Sequence, residues 1–227
     1  MSGASRYAGV VFDLDGTLID SMPQVLEGLA SAVGRYRPRP ALEEIMGILG
    51  GPSEACVRRL LAGGPHVAAA LAAYLRFLRS HEHLLRPFRG ALPLLRDLHA
   101  ARVRLGLWTG RERASTVARL QALSVDRYFD QIVCGDDLPS HKPEPSGLLQ
   151  ILRAWKLAPD QVLFVGDSDQ DVQGGREAGM PMVAIAHHRV LAPGLREYPR
   201  AIAATPTAAF TRVRAEVLRG RDRRAYR

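Results

Sequence analysis

The chain has 227 residues, 47% of them hydrophobic and 24% charged, with 21 Gly and 15 Pro spread along it; this is long enough for a full core, and the composition excludes a disordered chain. The net charge of +8 comes from scattered arginines with no interleaved aromatics, and the densest cluster is the final "RGRDRRAYR", so no nucleic-acid partner is expected. The longest uncharged apolar run, Val67 to Leu75, is far below the ~18 residues of a membrane span, and the opening residues lack a signal-peptide pattern, so a soluble, cytoplasmic protein with no membrane partner is expected.

The first predicted element is a buried strand, Val10 to Phe12, within "VVFDLDGTLID". It ends in two carboxylates, Asp13 and Asp15, followed by Gly16 and Thr17. The next roughly 70 residues, to about Pro87, contain no convincing strand, although a crossover needs only about a dozen. Their periodicity is helical. Met22, Val25, Leu26, Leu29 and Val33 share one face, with Asp20 or Ser21 as N-cap and Pro23 in the first turn, and Val67, Leu71, Tyr74, Leu75 and Leu78 share another. A helical cap domain over residues 18–87 is therefore expected, with linkers Gly16 to Asp20 and "LRPFRGALP", Leu85 to Pro93.

The core domain, 1–17 and 88–227, then alternates. A helix through Ala91, Leu94, Leu95 and Leu98 precedes a strand at Val103 to Trp108. A helix at Val117 to Leu123, a strand at Ile132 to Cys134, a helix through Leu148, Ile151, Leu152 and Trp155, and a strand at Val162 to Val165 follow. The series closes with a helix at Asp169 to Ala178, strands at Met182 to Ala186 and around Ala201 to Ala204, and a helix from about Thr207 to Leu218. This alternation predicts an α/β fold, a three-layer α/β/α Rossmann-like core with a parallel sheet.

Ligands in such sheets bind beyond the carboxyl ends of the strands. Asp13 and Asp15, at i and i+2 on extended backbone, face one substrate from there. Thr109 and Gly110 follow the second strand in "LWTGRER". Lys142 follows the third in "GDDLPSHKPEP", and it is one of only two lysines among 31 basic residues, a choice that favours a compact ammonium over a planar fork. Asp167 and Asp171 follow the fourth in "VGDSDQD". Cys56 and Cys134 stand far apart outside any CxxC pattern and are read as reduced packing residues.

These four ordered motifs resemble those of the haloacid dehalogenase-like superfamily, and "DLDGTLIDS", "KPEP" and "GDSDQD" look most like its phosphoglycolate phosphatase-like branch. The resemblance implies a Mg2+-dependent phosphatase for a small phosphorylated metabolite, working through an aspartyl phosphate. Asp13 would be the nucleophile and Asp15 the general acid and base, with less positive charge around Asp15 than around Asp13. Asp13, the backbone carbonyl of Asp15, and Asp167 would hold the metal, while Lys142 and Thr109 meet phosphoryl oxygens and Asp171 positions Lys142 or a metal-bound water. The acid at position 15 disfavours a dehalogenase, and the absence of lysine between Leu18 and Pro87 disfavours a phosphonatase. A β-phosphoglucomutase-like mutase is the alternative within the superfamily. A catalytically idle binding module is the alternative of a different class.

Several positions depart from the family pattern. Gly110 stands where Asn is frequent, and Arg111 or Arg113 is a candidate to compensate. Gly174 and Gly175 each cost about 1 kcal/mol in a helix unless close packing offsets it. His187 and His188 replace a usual glycine and are read as surface residues. In the cap loop "GILGGPSE", Gly51 is a candidate substrate contact alongside Gly110 and Arg111, with Arg58 and Arg59 as candidates for a second anionic group.

Overall fold

The computed structural model describes residues 7–49, 53–187 and 190–219. The chain forms two compact units, one built from Met1–Ile19 and Pro87–Arg227 and the other from Asp20–Arg86.

The larger unit begins with β1 (Gly9–Phe12), whose residues Val10, Val11 and Phe12 are fully buried. Short strands β2 (Ile19–Asp20) and β3 (Arg86–Pro87) pair with each other where the chain leaves and returns. Then come α5 (Ala91–Ala100), β4 (Arg104–Trp108), α6 (Arg113–Ala122), β5 (Gln131–Val133), α7 (Ser146–Trp155) and β6 (Val162–Gly166). The unit ends with α8 (Asp169–Glu177), β7 (Met182–Ile185), β8 (Ala201–Ala203) and α9 (Pro206–Val217).

All six main strands run parallel, in the order β5-β4-β1-β6-β7-β8. From β1 the chain builds outward through β4 to β5, then returns across the sheet to β6 and builds the other way. The order therefore reverses between β1 and β6, and a crevice at such a switch point is where α/β sheets place ligands. Phe12 is in register with both Leu107 and Val165, which brings the tips of the three central strands level.

Strand alternation divides the apolar residues between two faces. Val11, Trp108, Phe164 and Met182 join Leu148, Ile151 and Leu152 of α7 and Val172 of α8 in one cluster. Helices α5 and α9 pack together, with Leu94, Leu98, Phe210 and Val213 buried. Each such side chain contributes roughly 1.5–3 kcal/mol relative to exposure. Gly9 and Gly106 serve this packing, since a Cβ on either would come within 3.0 Å of the Trp155 ring.

Helix α6 starts four residues before the periodicity indicates. Its first-turn amide, on Arg113, donates to Asp136 Oδ1 at 2.8 Å, a cap supplied from beyond β5. Helix α9 has a local one: Thr205 accepts from the Ala208 amide at 3.2 Å and Pro206 opens the helix, which suits a position with no amide hydrogen to satisfy.

The smaller unit holds α1 (Met22–Val33), α2 (Leu42–Ile48), α3 (Ser53–Leu60) and α4 (Val67–Ser80). Its core is Leu29, Val33, Ile45, Val57, Leu60, Ala70 and Tyr74 with their neighbours. Asp20 provides the side-chain cap of α1, accepting from the Met22 amide at 3.1 Å, while Ser21 at the N-cap position makes none. Cys56 and Cys134 are both free and buried. Among the described residues, no helix is long and apolar enough to cross a membrane.

Candidate active site

Asp13 directly follows β1 and extends its ladder, its amide donating to the Val165 carbonyl at 2.9 Å. The backbone then closes tightly: the Gly16 amide reaches the Ile19 carbonyl at 2.8 Å, and the Ile19 amide the Leu14 carbonyl at 2.9 Å. Gly16 has φ +86°, and a Cβ there would lie 2.3 Å from an Asp167 oxygen. Only glycine fits both the left-handed backbone and the approach of that carboxylate. Thr17, fully buried, donates its hydroxyl to Asp167 Oδ1 at 3.1 Å.

Lys142 reaches this point from the loop after β5. Its ammonium donates to Asp13 Oδ1 and to Asp171 Oδ1, each at 2.6 Å, and the side chains of Lys142, Asp13 and Asp171 are 8%, 9% and 1% exposed. It also lies 4.5 Å from the centroid of the Trp108 ring, within range of a cation–π attraction. Asp171 is the third residue of α8 and has a second task. Its Oδ2 accepts from the Ser168 amide at 3.0 Å and the Ser168 hydroxyl at 2.6 Å, while Ser168 Oγ accepts from the Asp171 amide. This reciprocal cap fixes the carboxylate at the positive end of the helix. A side chain at Gly166 would strike it, with Cβ–Cβ at 2.6 Å.

Burial pushes the Asp13 carboxyl up to about 7 against the pull of Lys142, with Asp171 adding to the rise. For Lys142, burial acts downward, and the adjacent Asp13 and Asp171 more than offset it, so the ammonium is held above its ordinary value. Carboxylate oxygens of Asp13, Asp167 and Asp171 all lie within 4.8 Å of one another. Two of these carboxylates share one ammonium, and the three together make an all-oxygen donor set suited to a hard divalent cation. The residues present fit a metal ion. Asp13 and Asp167 are the better placed to ligate, because both oxygens of Asp171 already accept from Lys142, Ser168 and Asp167.

Asp15 has a different cation. Its carboxylate is gripped by Arg111, Nε to Oδ2 at 3.0 Å and Nη2 to Oδ1 at 2.7 Å. A guanidinium from the loop after β4 is thus in direct contact with Asp15. Thr109 is buried, donates its amide to the Val133 carbonyl, and accepts from the Arg111 amide at 3.1 Å through Oγ1, which leaves its O–H to donate. Gly110 is exposed, and a Cβ there would meet nothing within 4 Å.

The remaining candidates are placed differently. Gly51 and His188 lie outside the described residues. His187 is exposed and sits edge-on to Phe88. Arg58 pairs with Glu54, Arg59 donates to the Ile48 carbonyl, and Arg113 pairs with Asp137. Sequence reasoning passed over Thr17, Trp108 and Ser168. The Ser168-x-x-Asp171 spacing carries a capping-box signal; nothing in the local sequence marks Trp108 as more than a strand residue.

The haloacid dehalogenase-like hydrolase family matches residues 10–185. Phosphoglycolate phosphatase 1 of Pseudomonas aeruginosa is 32% identical over 187 residues, covering 78% of this chain and 69% of that protein. Phosphoglycolate phosphatase of Pseudomonas putida is 36% identical over 192 residues, with the same two coverages. The crystal structure of a predicted phosphoglycolate phosphatase from Haemophilus somnus superimposes with a TM-score of 0.80 at 21% identity, covering 93% of this chain and all of that one, a likeness of fold. On the match across the four strand-tip motifs, the chain belongs to the haloacid dehalogenase-like hydrolase family.

Proposed function

We propose that this enzyme is a Mg2+-dependent phosphatase that hydrolyses a small phosphorylated metabolite, in the manner of the phosphoglycolate phosphatases it resembles, through an aspartyl phosphate on Asp13. The observation that carries this reading is the difference between the partners of the two carboxylates: Asp13 in the cluster of Lys142, Asp167 and Asp171, and Asp15 in the fork of Arg111. One is built to meet a phosphoryl group and the other to face its leaving oxygen.

In the first half, an oxygen of Asp13 attacks phosphorus, and the bond from phosphorus to the leaving oxygen breaks as Asp15 delivers its proton there. Lys142 and the Thr109 hydroxyl bind phosphoryl oxygens and balance the charge that gathers on them. In the second half, water adds to phosphorus and gives a proton to Asp15; the bond from phosphorus to Asp13 breaks, releasing inorganic phosphate and restoring the carboxylate. Mg2+, held by Asp13, Asp167 and the Asp15 carbonyl, would supply charge neutralisation between the anionic nucleophile and the anionic substrate. Asp171 orients Lys142. The open space at Gly110 supports a role in admitting substrate. We also read residues 18–87 as a cap domain, because the chain departs into them immediately after the acid/base loop.

The test is phosphoenzyme trapping with a Mg2+-dependent screen of phosphorylated metabolites. Asp13→Asn is expected to lose both turnover and labelling, whereas Asp15→Asn labels and turns over slowly. An active Asp13→Asn protein would overturn the assignment, and return of the phosphoryl group to a sugar bisphosphate would make the enzyme a mutase.

A further inference from the structure

We propose that Arg111 is the positioning residue of Asp15, holding its carboxylate in one orientation through both half-reactions. This rests on the reading of Asp15 as acid and base given above. A two-torsion side chain on a loop has several staggered states open to it, and a misplacement of about 1 Å costs roughly 100-fold in rate. The fork of Arg111 removes that freedom by contacting both oxygens at once, which a single ammonium cannot do.

The guanidinium is itself fixed from several sides. Beyond the two bonds to Asp15, Nη1 donates to Ser115 Oγ at 3.0 Å, in the first turn of α6. Its backbone is tied at both ends, the amide to Thr109 Oγ1 at 3.1 Å and the carbonyl to the Gly135 amide at 2.9 Å. A Cβ on Gly135 would stand 2.3 Å from the Gly110 carbonyl, so the loop after β5 seats the Gly110–Arg111 turn only because that residue is glycine. The Arg111 side chain is 17% exposed and that of Asp15 30%: the anchor is the more enclosed of the two, and the group it holds faces solvent. All three guanidinium nitrogens donate within the protein, and guanidinium keeps its proton in proteins. Arg111 therefore acts on the reaction through Asp15, rather than as the direct substrate contact for which the sequence makes it a candidate.

The experiment is pre-steady-state hydrolysis of p-nitrophenyl phosphate with Mg2+ by wild type, Asp15→Asn, Arg111→Ala and Arg111→Lys. p-Nitrophenolate departs without a proton, so phosphorylation of Asp13 does not need Asp15, whereas dephosphorylation does. Arg111→Ala is expected to release one equivalent of p-nitrophenolate in a burst and then stall, with steady-state turnover down about 100-fold. Added guanidinium restores turnover to Arg111→Ala and not to Asp15→Asn. Wild-type turnover in Arg111→Ala, or loss of the burst in a variant with a native circular dichroism spectrum, would overturn the proposal. If Arg111→Ala does not fold, Arg111→Lys decides: burst and stall supports, wild-type turnover refutes. Asp15→Asn separates the two readings, since a stall there with none in the Arg111 variants sinks only the role of Arg111, and no stall there sinks the role of Asp15 itself.

Discussion

The ammonium of Lys142 bonds Asp13 and Asp171 at 2.6 Å each while lying 4.5 Å from the centre of the Trp108 ring, so an indole completes the surroundings of the cation. Such a contact contributes about 0.5–2 kcal/mol. Trp108→Leu is expected to lower kcat/KM by roughly 3- to 30-fold, with Trp108→Phe losing less because it keeps an aromatic face. Steady-state kinetics of the two variants checks this, and equal rates would remove the ring from the account.

The paired glycines of α8 make different predictions on one helix. Helix propensity alone would have alanine stabilise either position by about 1 kcal/mol. A Cβ at Gly174, however, lands 2.5 Å from the Trp108 ring and 2.9 Å from the Pro143 carbonyl, whereas at Gly175 the nearest atoms are Phe164 at 3.1 Å and the Met182 sulfur at 3.4 Å. Gly174→Ala is expected to destabilise by about 1–3 kcal/mol and Gly175→Ala to stay near neutral. Thermal melts of the two variants would decide it.

Chelation should remove activity, and added Mg2+ should restore it. A second readout is stability: ligand bound only by the folded state raises Tm, by about 2.7 kcal/mol of stabilisation at one hundred times Kd. Mg2+ is expected to raise the Tm of the wild type and to raise that of Asp167→Asn much less. Equal shifts would show that Asp167 is not a ligand.

The Arg113 guanidinium beside Asp137 holds that carboxyl below its ordinary value against a smaller opposing effect of burial, with help from the Cys134 amide. A depressed carboxylate contributes stability at pH values above its unfolded pKa and loses it as pH falls through its folded one. Wild type is therefore expected to exceed Asp137→Asn by about 0.5–1 kcal/mol at neutral pH and to converge with it in acid below the ordinary carboxylate range. Urea midpoints at the two extremes test this.

The strands β1, β6 and β7 were legible because fully buried parallel strands need continuous apolar runs, and the chain has such runs there. The loop of Asp13 and Asp15 and the place of Lys142 were legible for chemical reasons: paired acids at a strand mouth and a rare lysine among arginines. What local sequence could not carry was partnership over distance. Helix α6 starts early because Asp136 caps it from another strand tip. Arg111 reads as a candidate substrate contact, and its bidentate hold on Asp15, 96 positions away, becomes visible only in the fold. The cost of Gly174 was visible in the sequence, but its cause, the Trp108 ring, lies 66 positions away in the chain.

The Phe88 amide donates to the Leu18 carbonyl at 3.0 Å, so within the larger unit the chain exits and re-enters at adjoining points. The intervening stretch is, to the core, one long loop whose closure has already been fixed by that contact. Because closure entropy rises only slowly with loop length, by about 0.6 kcal/mol per doubling, segments of quite different size can be exchanged between these two points. Asp13, Asp15, Lys142, Asp167 and Asp171 all lie outside that stretch, so an exchange between these points would leave each of them in the chain.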